Sequence, residues 1–194
     1  MVAGDWRERK KAATRQRLQE QALRLFVERG YEATTVEQIA AAAGVSHMTF
    51  FRYFPTKEDV VLSDSYDPLL VAAIRARPRS EHPVVRIHAA VREGLAAIYA
   101  ADREALLVRV RLALSTPALR ARLWENQFAT RELFEGALEE GEPRLRTRVL
   151  ASVCLAALTT ALEAWVAADG AAELPDLIDE AFGVLAEAPR RRRS

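Results

Sequence analysis

Apolar residues recur at spacings of three and four along most of this 194-residue chain, as expected for helices with one buried face. In the first such segment, from about Arg9 to Arg29, the apolar stripe consists of Leu18, Ala22, Leu25 and Phe26. Sustained alternation of polar and β-branched residues, which marks strands, is nearly absent. Prolines and glycines divide the helical pattern into about nine segments, so the sequence predicts an all-α fold.

The second and third predicted helices are short and are joined by a turn at Gly44. Thr35 and Gln38 have the spacing of a capping box, which indicates the start of a helix that Gly44 ends. Ser46 is placed to cap a third helix, which ends before Pro55. Two short helices joined by a glycine turn, behind a longer helix, predict a helix-turn-helix.

The side chains of the third helix fall into two groups when they are placed at about 100° per residue. We expect one arc to face the core, because it gathers the phenylalanines Phe50, Phe51 and Phe54. The opposite arc carries Met48, Thr49, Arg52 and Tyr53. His47 lies on the core side by angle, but at the tip of the helix it can still point into a groove. The alternative is that the outer arc is a solvated face.

A helix presented in this way can enter the major groove of DNA and read base edges from its N-terminal residues. Hydroxyls, basic side chains and helix N-termini would hold the phosphates. Thr35, Tyr53 and Lys57 are placed for such contacts, although Lys57 can instead pair with a glutamate of its own chain. The basic residues before the first helix can touch the DNA backbone or form a frayed, solvated terminus.

The stretch from about Arg17 to Leu62 resembles the TetR family of bacterial transcriptional repressors. It covers about a quarter of the chain, and the rest resembles the family only in size and helix number. The specific elements are Tyr31 after Gly30, the "TTV-QIA" helix, the turn "AGVS", Thr49, Tyr53-Phe54 and Lys57-Glu58. Phe51 stands where the family often has tyrosine, which removes the hydroxyl of one expected phosphate contact.

The resemblance implies a three-helix DNA-binding head on a helical body that binds an effector and forms a homodimer. Such a protein binds a palindromic operator and releases it when a small molecule enters the body. The resemblance places base-reading side chains at Ser46, His47, Met48 and Arg52. It places phosphate-binding side chains at Thr35, Thr49, Tyr53 and Lys57. We expect the head to span residues 1–56, the body 57–189, and a disordered basic tail 190–194.

The charge distribution favours a polyanion at one end of the molecule. The net charge is only +1, but residues 1–57 contain ten Lys+Arg against six Asp+Glu. Residues 58–189 contain fourteen against twenty-one, and four arginines follow in the tail. A basic start on an acidic body suits a DNA partner for the head.

The apolar stretch "TRVLASVCLAALTTALEAWVAA" near the C-terminal end has two interpretations. Its length would allow it to cross a membrane, but its Glu163, hydroxyls and many alanines argue against this. We therefore expect a helix buried on one side by its own chain and on the other by a second subunit. The expected homodimer interface is formed by this helix and the next, through Ala157, Ala161, Ile178 and Phe182.

A small-molecule pocket, if the body has one, is expected among the helices from Pro83 to Leu138. The candidate lining residues are Tyr99, Arg109, Trp124 and Phe128. They suit a hydrophobic effector, and a pocket arginine would favour an anionic one. Aromatic residues at helical spacing are also common in an ordinary core, so that interpretation stays open.

Other classes of function find little support in the sequence. Phosphate-binding glycine loops, metalloprotease motifs and nucleophile-elbow motifs are absent, so we expect no enzyme and no cofactor. The histidines lack the companions of a metal site, and Cys154 is the one cysteine. No secretory signal opens the chain, which predicts a cytoplasmic protein. An effector-independent DNA-binding regulator or activator remains the principal alternative.

Overall fold

The computed structural model describes residues 2–62, 67–138 and 144–187, and within these ranges all regular structure is helical. The helices are α1 (Val2–Arg29), α2 (Val36–Ala42), α3 (His47–Tyr53), α4 (Asp59–Leu62), α5 (Asp67–Ala76), α6 (Pro83–Ala101), α7 (Arg103–Ser115), α8 (Pro117–Leu138), α9 (Arg144–Ala167) and α10 (Leu174–Glu187). The predicted all-α fold is confirmed. The basic tail at 190–194 lies outside the described residues.

The described chain divides into two compact units. The first contains the residues up to Leu62 together with Arg111–Arg122, and the second contains the rest. The predicted boundary between head and body, at residue 56, lies before α4, whereas the first unit includes α4. Val60 and Val61 are fully buried in the core of the first unit, and Leu119 is buried in the same core.

The first unit is built around the apolar stripe of α1. Leu18, Ala22, Leu25 and Phe26 are buried, as their spacing predicts. Ile39 and Ala40 of α2, Phe50 of α3 and Phe54, which directly follows α3, complete the core from the other side. The three helices therefore bury one continuous apolar cluster, which fixes the position of α3.

Local sequence signals set the limits of α2. The Thr35 side chain accepts a hydrogen bond from the backbone N–H of Gln38, and the Gln38 side chain accepts one from Thr35. This is the predicted capping box. At the other end Gly44 adopts a φ of 68°, which a glycine enters without steric cost. The backbone N–H of Val45 then bonds to the carbonyl of Ala40 and starts the turn into α3.

The second unit has its own core, in which α9 is central. Its buried side chains recur at spacings of three and four residues: Thr147, Ala151, Cys154, Ala157, Ala161 and Trp165. Helix α10 packs along α9 and buries Leu174, Ile178 and Phe182 in the same cluster. By length and composition α9 would also be able to cross a membrane.

The positions of Ala157, Ala161, Ile178 and Phe182 contradict their predicted place in a dimer interface. All four side chains are buried in the core of the single chain, so they are not available to a second subunit. The physical reason is that α9 turns its alanine and cysteine stripe inward, towards α10. The opposite side of α9 exposes larger apolar residues, including Leu145 and Val149.

Candidate nucleic-acid interface

Helix α3 is held to the first unit by two aromatic rings. Phe50 and Phe54 are fully buried, with ring centroids 5.7 Å apart. The side chain of Arg15 in α1 donates a 3.2 Å hydrogen bond to the carbonyl of Tyr53, and its guanidinium lies over the Phe54 ring. This contact supplies a donor to an end carbonyl of α3, where a helix lacks internal partners. The helix is thus fixed at its inner face and at its C-terminal end.

The outer face of α3 carries His47, Met48, Phe51 and Arg52, which are all exposed. Met48 is 70% exposed and Phe51 is 45% exposed. The prediction that Phe51 faces the core is therefore wrong. In a helix of only two turns the core closes over Phe50 and Phe54, and Phe51 lies past its edge. There its ring meets Phe50 edge to face, with centroids 5.5 Å apart.

Ser46 and Thr49 are engaged with each other at the start of α3. The Ser46 hydroxyl accepts a 3.2 Å hydrogen bond from the backbone N–H of Thr49, and the two hydroxyls lie 3.0 Å apart. Ser46 therefore acts as the N-cap of the helix, as its position predicts. Its base-reading role and the phosphate-binding role of Thr49 stay predictions.

Lys57, a predicted phosphate ligand, makes contacts within its own chain. Its Nζ donates hydrogen bonds to the carbonyl oxygens of Tyr31 at 2.9 Å and Thr34 at 3.2 Å. It also lies over the Tyr31 ring, 4.0 Å from the centroid. Lys57 thus fixes the segment between α1 and α2, directly before the exposed Thr35. An ammonium group has three donors, so a phosphate contact remains open to it and stays a prediction.

A bond between Tyr31 and Glu58 was not foreseen from the sequence. The Tyr31 hydroxyl donates a 2.6 Å hydrogen bond to Oε1 of Glu58. Burial and this hydrogen bond raise the pKa of Tyr31. Burial acts to raise the pKa of Glu58 too, but the hydrogen bonds that its carboxylate accepts outweigh burial and hold that pKa below its usual value. The pair is a neutral phenol that stabilises a charged carboxylate.

The remaining predicted phosphate ligand, Tyr53, is half-buried at the end of α3, and the guanidinium of Arg52 lies 5.6 Å from its ring centroid. Basic side chains also line the exposed N-terminal part of α1, including Arg7, Arg9, Lys10 and Lys11. The first unit therefore combines an outward helix face with exposed positive charge, which suits a polyanion.

In the second unit, an open groove of about 410 Å³ lies between α8 and α9. Two of the predicted ligand-binding residues, Trp124 and Phe128, line it and are exposed. Tyr99 and Arg109 do not line it. Tyr99 instead packs against Trp165 and donates a 2.6 Å hydrogen bond to Glu173. This groove therefore brings together two of the four predicted residues, and the ligand-binding role of the other two stays a prediction.

No group of three or more His, Cys, Asp or Glu side chains that could hold a metal ion occurs in the described ranges. Cys154 is buried, and burial raises the pKa of its thiol to about 12. His88 contacts Asp179 at 2.7 Å and stacks on Phe182.

Each of the two units contains a region that matches a known protein family. Residues 18–63 match the family described as bacterial regulatory proteins, tetR family, and residues 81–189 match the family described as the MftR C-terminal domain. The HTH-type transcriptional regulator TcmR of Streptomyces glaucescens is 39% identical over 122 residues, which are 59% of this chain and 54% of that protein. The chain thus spans about half the length of this curated relative.

Solved structures extend the likeness over nearly the whole chain. Thermus thermophilus FadR, a TetR-family transcriptional repressor solved in complex with lauroyl-CoA, is 26% identical with a TM-score of 0.56. The match covers 93% of this chain and 97% of FadR. TylP, a TetR regulator of Streptomyces fradiae, is also 26% identical with a TM-score of 0.56, over 91% of this chain and 86% of TylP.

Proposed function

The chain belongs to the TetR family of bacterial regulatory proteins, and on that premise we propose that it represses transcription by binding a palindromic DNA operator as a homodimer. The family consists of transcriptional regulators, which are not enzymes. A protein that acts on operator DNA in a bacterium works in the cytoplasm. The repressor role is supported by the likeness to FadR, which is itself a repressor.

The outer face of α3 is the observation that carries the proposal. Its inner face is fixed by Phe50 and Phe54, and its outer face presents His47, Met48 and Arg52 without burial. A side chain that reads bases has to be free of its own core and held in one orientation. Both conditions are met by this helix.

Selection of bound DNA from a random pool tests the proposal. We expect the selected sequences to share a palindrome whose half-sites lie about one helical turn, or a multiple of it, apart. Affinity for the selected operator should fall steeply as salt rises, because phosphate contacts release counterions. Failure to enrich any sequence, together with no binding in low salt, would contradict the proposal.

For the dimer, the exposed apolar side of α9 is the surface that we propose. Leu145 and Val149 lie one turn apart on this side, and Val149 is 51% exposed. Val184 is the exposed apolar residue of the neighbouring α10. Exposed apolar side chains of this size on two packed helices favour contact with a second copy.

We place effector binding at the groove between α8 and α9. Trp124 and Phe128 supply an apolar wall, and the volume lies within the usual range for ligand sites. Arg131 lines the same groove and shares Glu135 with Arg148, at 3.1 and 3.3 Å. Glu163 lines the groove as well, so its charged lining is one guanidinium and one carboxylate, and the apolar wall is what favours a hydrophobic effector.

Release of DNA by lauroyl-CoA tests the effector proposal, since FadR of Thermus thermophilus binds this molecule. We expect lauroyl-CoA to release the selected operator and coenzyme A without the acyl chain to be far weaker. Trp124→Ala should weaken the response while leaving operator affinity in the absence of lauroyl-CoA unchanged. An equal response in wild type and variant would show that the groove is not the site. No release by either compound would favour an effector-independent regulator.

A further inference from the structure

The exposed face of α3 has an apolar centre. At about 100° per residue, the exposed side chains occupy one continuous arc in the order His47, Phe51, Met48 and Arg52. Phe51 and Met48, three positions apart, are neighbours about 60° from each other in the middle of this arc. The polar and basic side chains stand at its two margins.

The two hydroxyls at the start of α3 lie outside this arc and are partly engaged with each other. The Ser46 hydroxyl caps the helix and lies 3.0 Å from the Thr49 hydroxyl. Phe51 meets the Phe50 ring edge to face and is 45% exposed, and Met48 is 70% exposed. Two apolar side chains so open to water gain stability only when a partner covers them.

In the major groove of DNA the base edges offer donors, acceptors and one apolar group, the C5-methyl of thymine. We propose that Met48 and Phe51 read thymine methyl groups in the operator half-site. The inference rests on the proposed function, since it requires α3 to enter the major groove. It goes further by assigning a base identity to two named side chains.

The spacing of the two side chains sets the spacing of the thymines. Positions i and i+3 of a helix place Cβ atoms about 5–6 Å apart. Successive bases on one strand rise about 3.4 Å. Met48 and Phe51 therefore cover bases that are adjacent or separated by one step. We expect each half-site to contain two thymines so arranged, on the same or on opposite strands.

Replacing thymine by deoxyuridine tests the inference, since it removes the methyl group and retains the hydrogen-bonding pattern. Each half-site thymine of the selected operator is changed in turn, and affinity is measured by fluorescence anisotropy. Loss of one methyl contact should weaken binding about fourfold, from ~0.8 kcal/mol per buried carbon group. The preference for the methyl group should depend on Met48 at one position and on Phe51 at another.

The variants make the assignment specific. In Met48→Ala, thymine and deoxyuridine should bind equally at the position read by Met48, while Met48→Leu should restore the preference. Phe51→Ala should have the same effect at the second position. Val27→Ala is the matched control, because Val27 is an exposed apolar residue of α1. It should retain both preferences.

The outcomes distinguish a failure of the thymine methyl readout from a failure of the proposed function. Operator binding that tolerates deoxyuridine at every position overturns the methyl readout and leaves the proposed function standing. A thymine preference that survives Met48→Ala and Phe51→Ala overturns the assignment to these side chains. A protein that binds no DNA overturns both.

Discussion

The segment between α1 and α2 is fixed by single polar side chains that lie far from it in the sequence. Tyr31 bonds to Glu58, and Lys57 donates to the carbonyl oxygens of Tyr31 and Thr34. These contacts join parts of the chain 23 to 27 positions apart. Such contacts cannot be predicted from helical periodicity, since periodicity shows only which residues share a face of one helix. This explains why Lys57 was predicted as a phosphate ligand and not as a support for the segment before α2.

Replacing Tyr31 with phenylalanine should lower the free energy of unfolding by about 1 kcal/mol at neutral pH, because one hydrogen bond is lost. The folded-state pKa of Glu58 lies below its usual value, so the stability that its charge contributes is present above about pH 4.3. It is lost as the pH falls through the folded-state pKa. Urea unfolding at several pH values should therefore show a shallower acid loss in Tyr31→Phe. Identical acid profiles would mean that the Tyr31 bond does not hold that pKa down.

Among the elements, α2 and α3 show what a local pattern reveals. The capping box of α2, the N-cap at Ser46 and the positive φ of Gly44 are set by a few neighbouring residues, and all were predictable. The orientation of Phe51 was not, because a seven-residue helix leaves the edge of its buried arc undefined. The packing of α3 into the core that it shares with α1 and α2 decides which ring is covered.

Phe50→Ala and Phe51→Ala should therefore differ. Phe50 is fully buried, so its loss should cost about 3–5 kcal/mol of stability, as for other buried aromatic residues. Phe51 is exposed, so Phe51→Ala should change stability by less than about 1 kcal/mol and weaken operator binding instead. Thermal unfolding and anisotropy on both variants check this. Equal destabilisation by the two substitutions would show that Phe51 belongs to the core.

For the whole molecule, the sequence predicts the division into a head and a helical body but not which side of α9 is left for the proposed dimer. The stretch in α9 is apolar on both sides, so periodicity alone does not tell which side faces its own core. The structure turns Ala157 and Ala161 inward and leaves Leu145 and Val149 outside. Tyr99 packs on Trp165, and its predicted place in a ligand site stays a prediction.

A charge on the outer side of α9 should break the dimer without unfolding the chain. We expect Val149→Arg to sediment as a folded monomer, while Ala96→Arg, an exposed position on α6, should leave the dimer intact. Ala157→Arg should instead unfold the second unit, because it buries an unpaired charge. A Val149→Arg dimer as tight as the wild type would place the interface elsewhere.

The central claim is that the outer face of α3 reads DNA, and the specificity ratio of Arg52→Ala tests it most directly. Affinities for the selected operator and a scrambled duplex are measured by anisotropy at one salt concentration. Arg24→Ala serves as the control, since Arg24 is an exposed arginine of α1 paired with Glu28. We predict that Arg52→Ala lowers the ratio by at least about fivefold, which corresponds to about 1 kcal/mol for a lost base contact, and that Arg24→Ala keeps it. An unchanged ratio in Arg52→Ala would contradict the account.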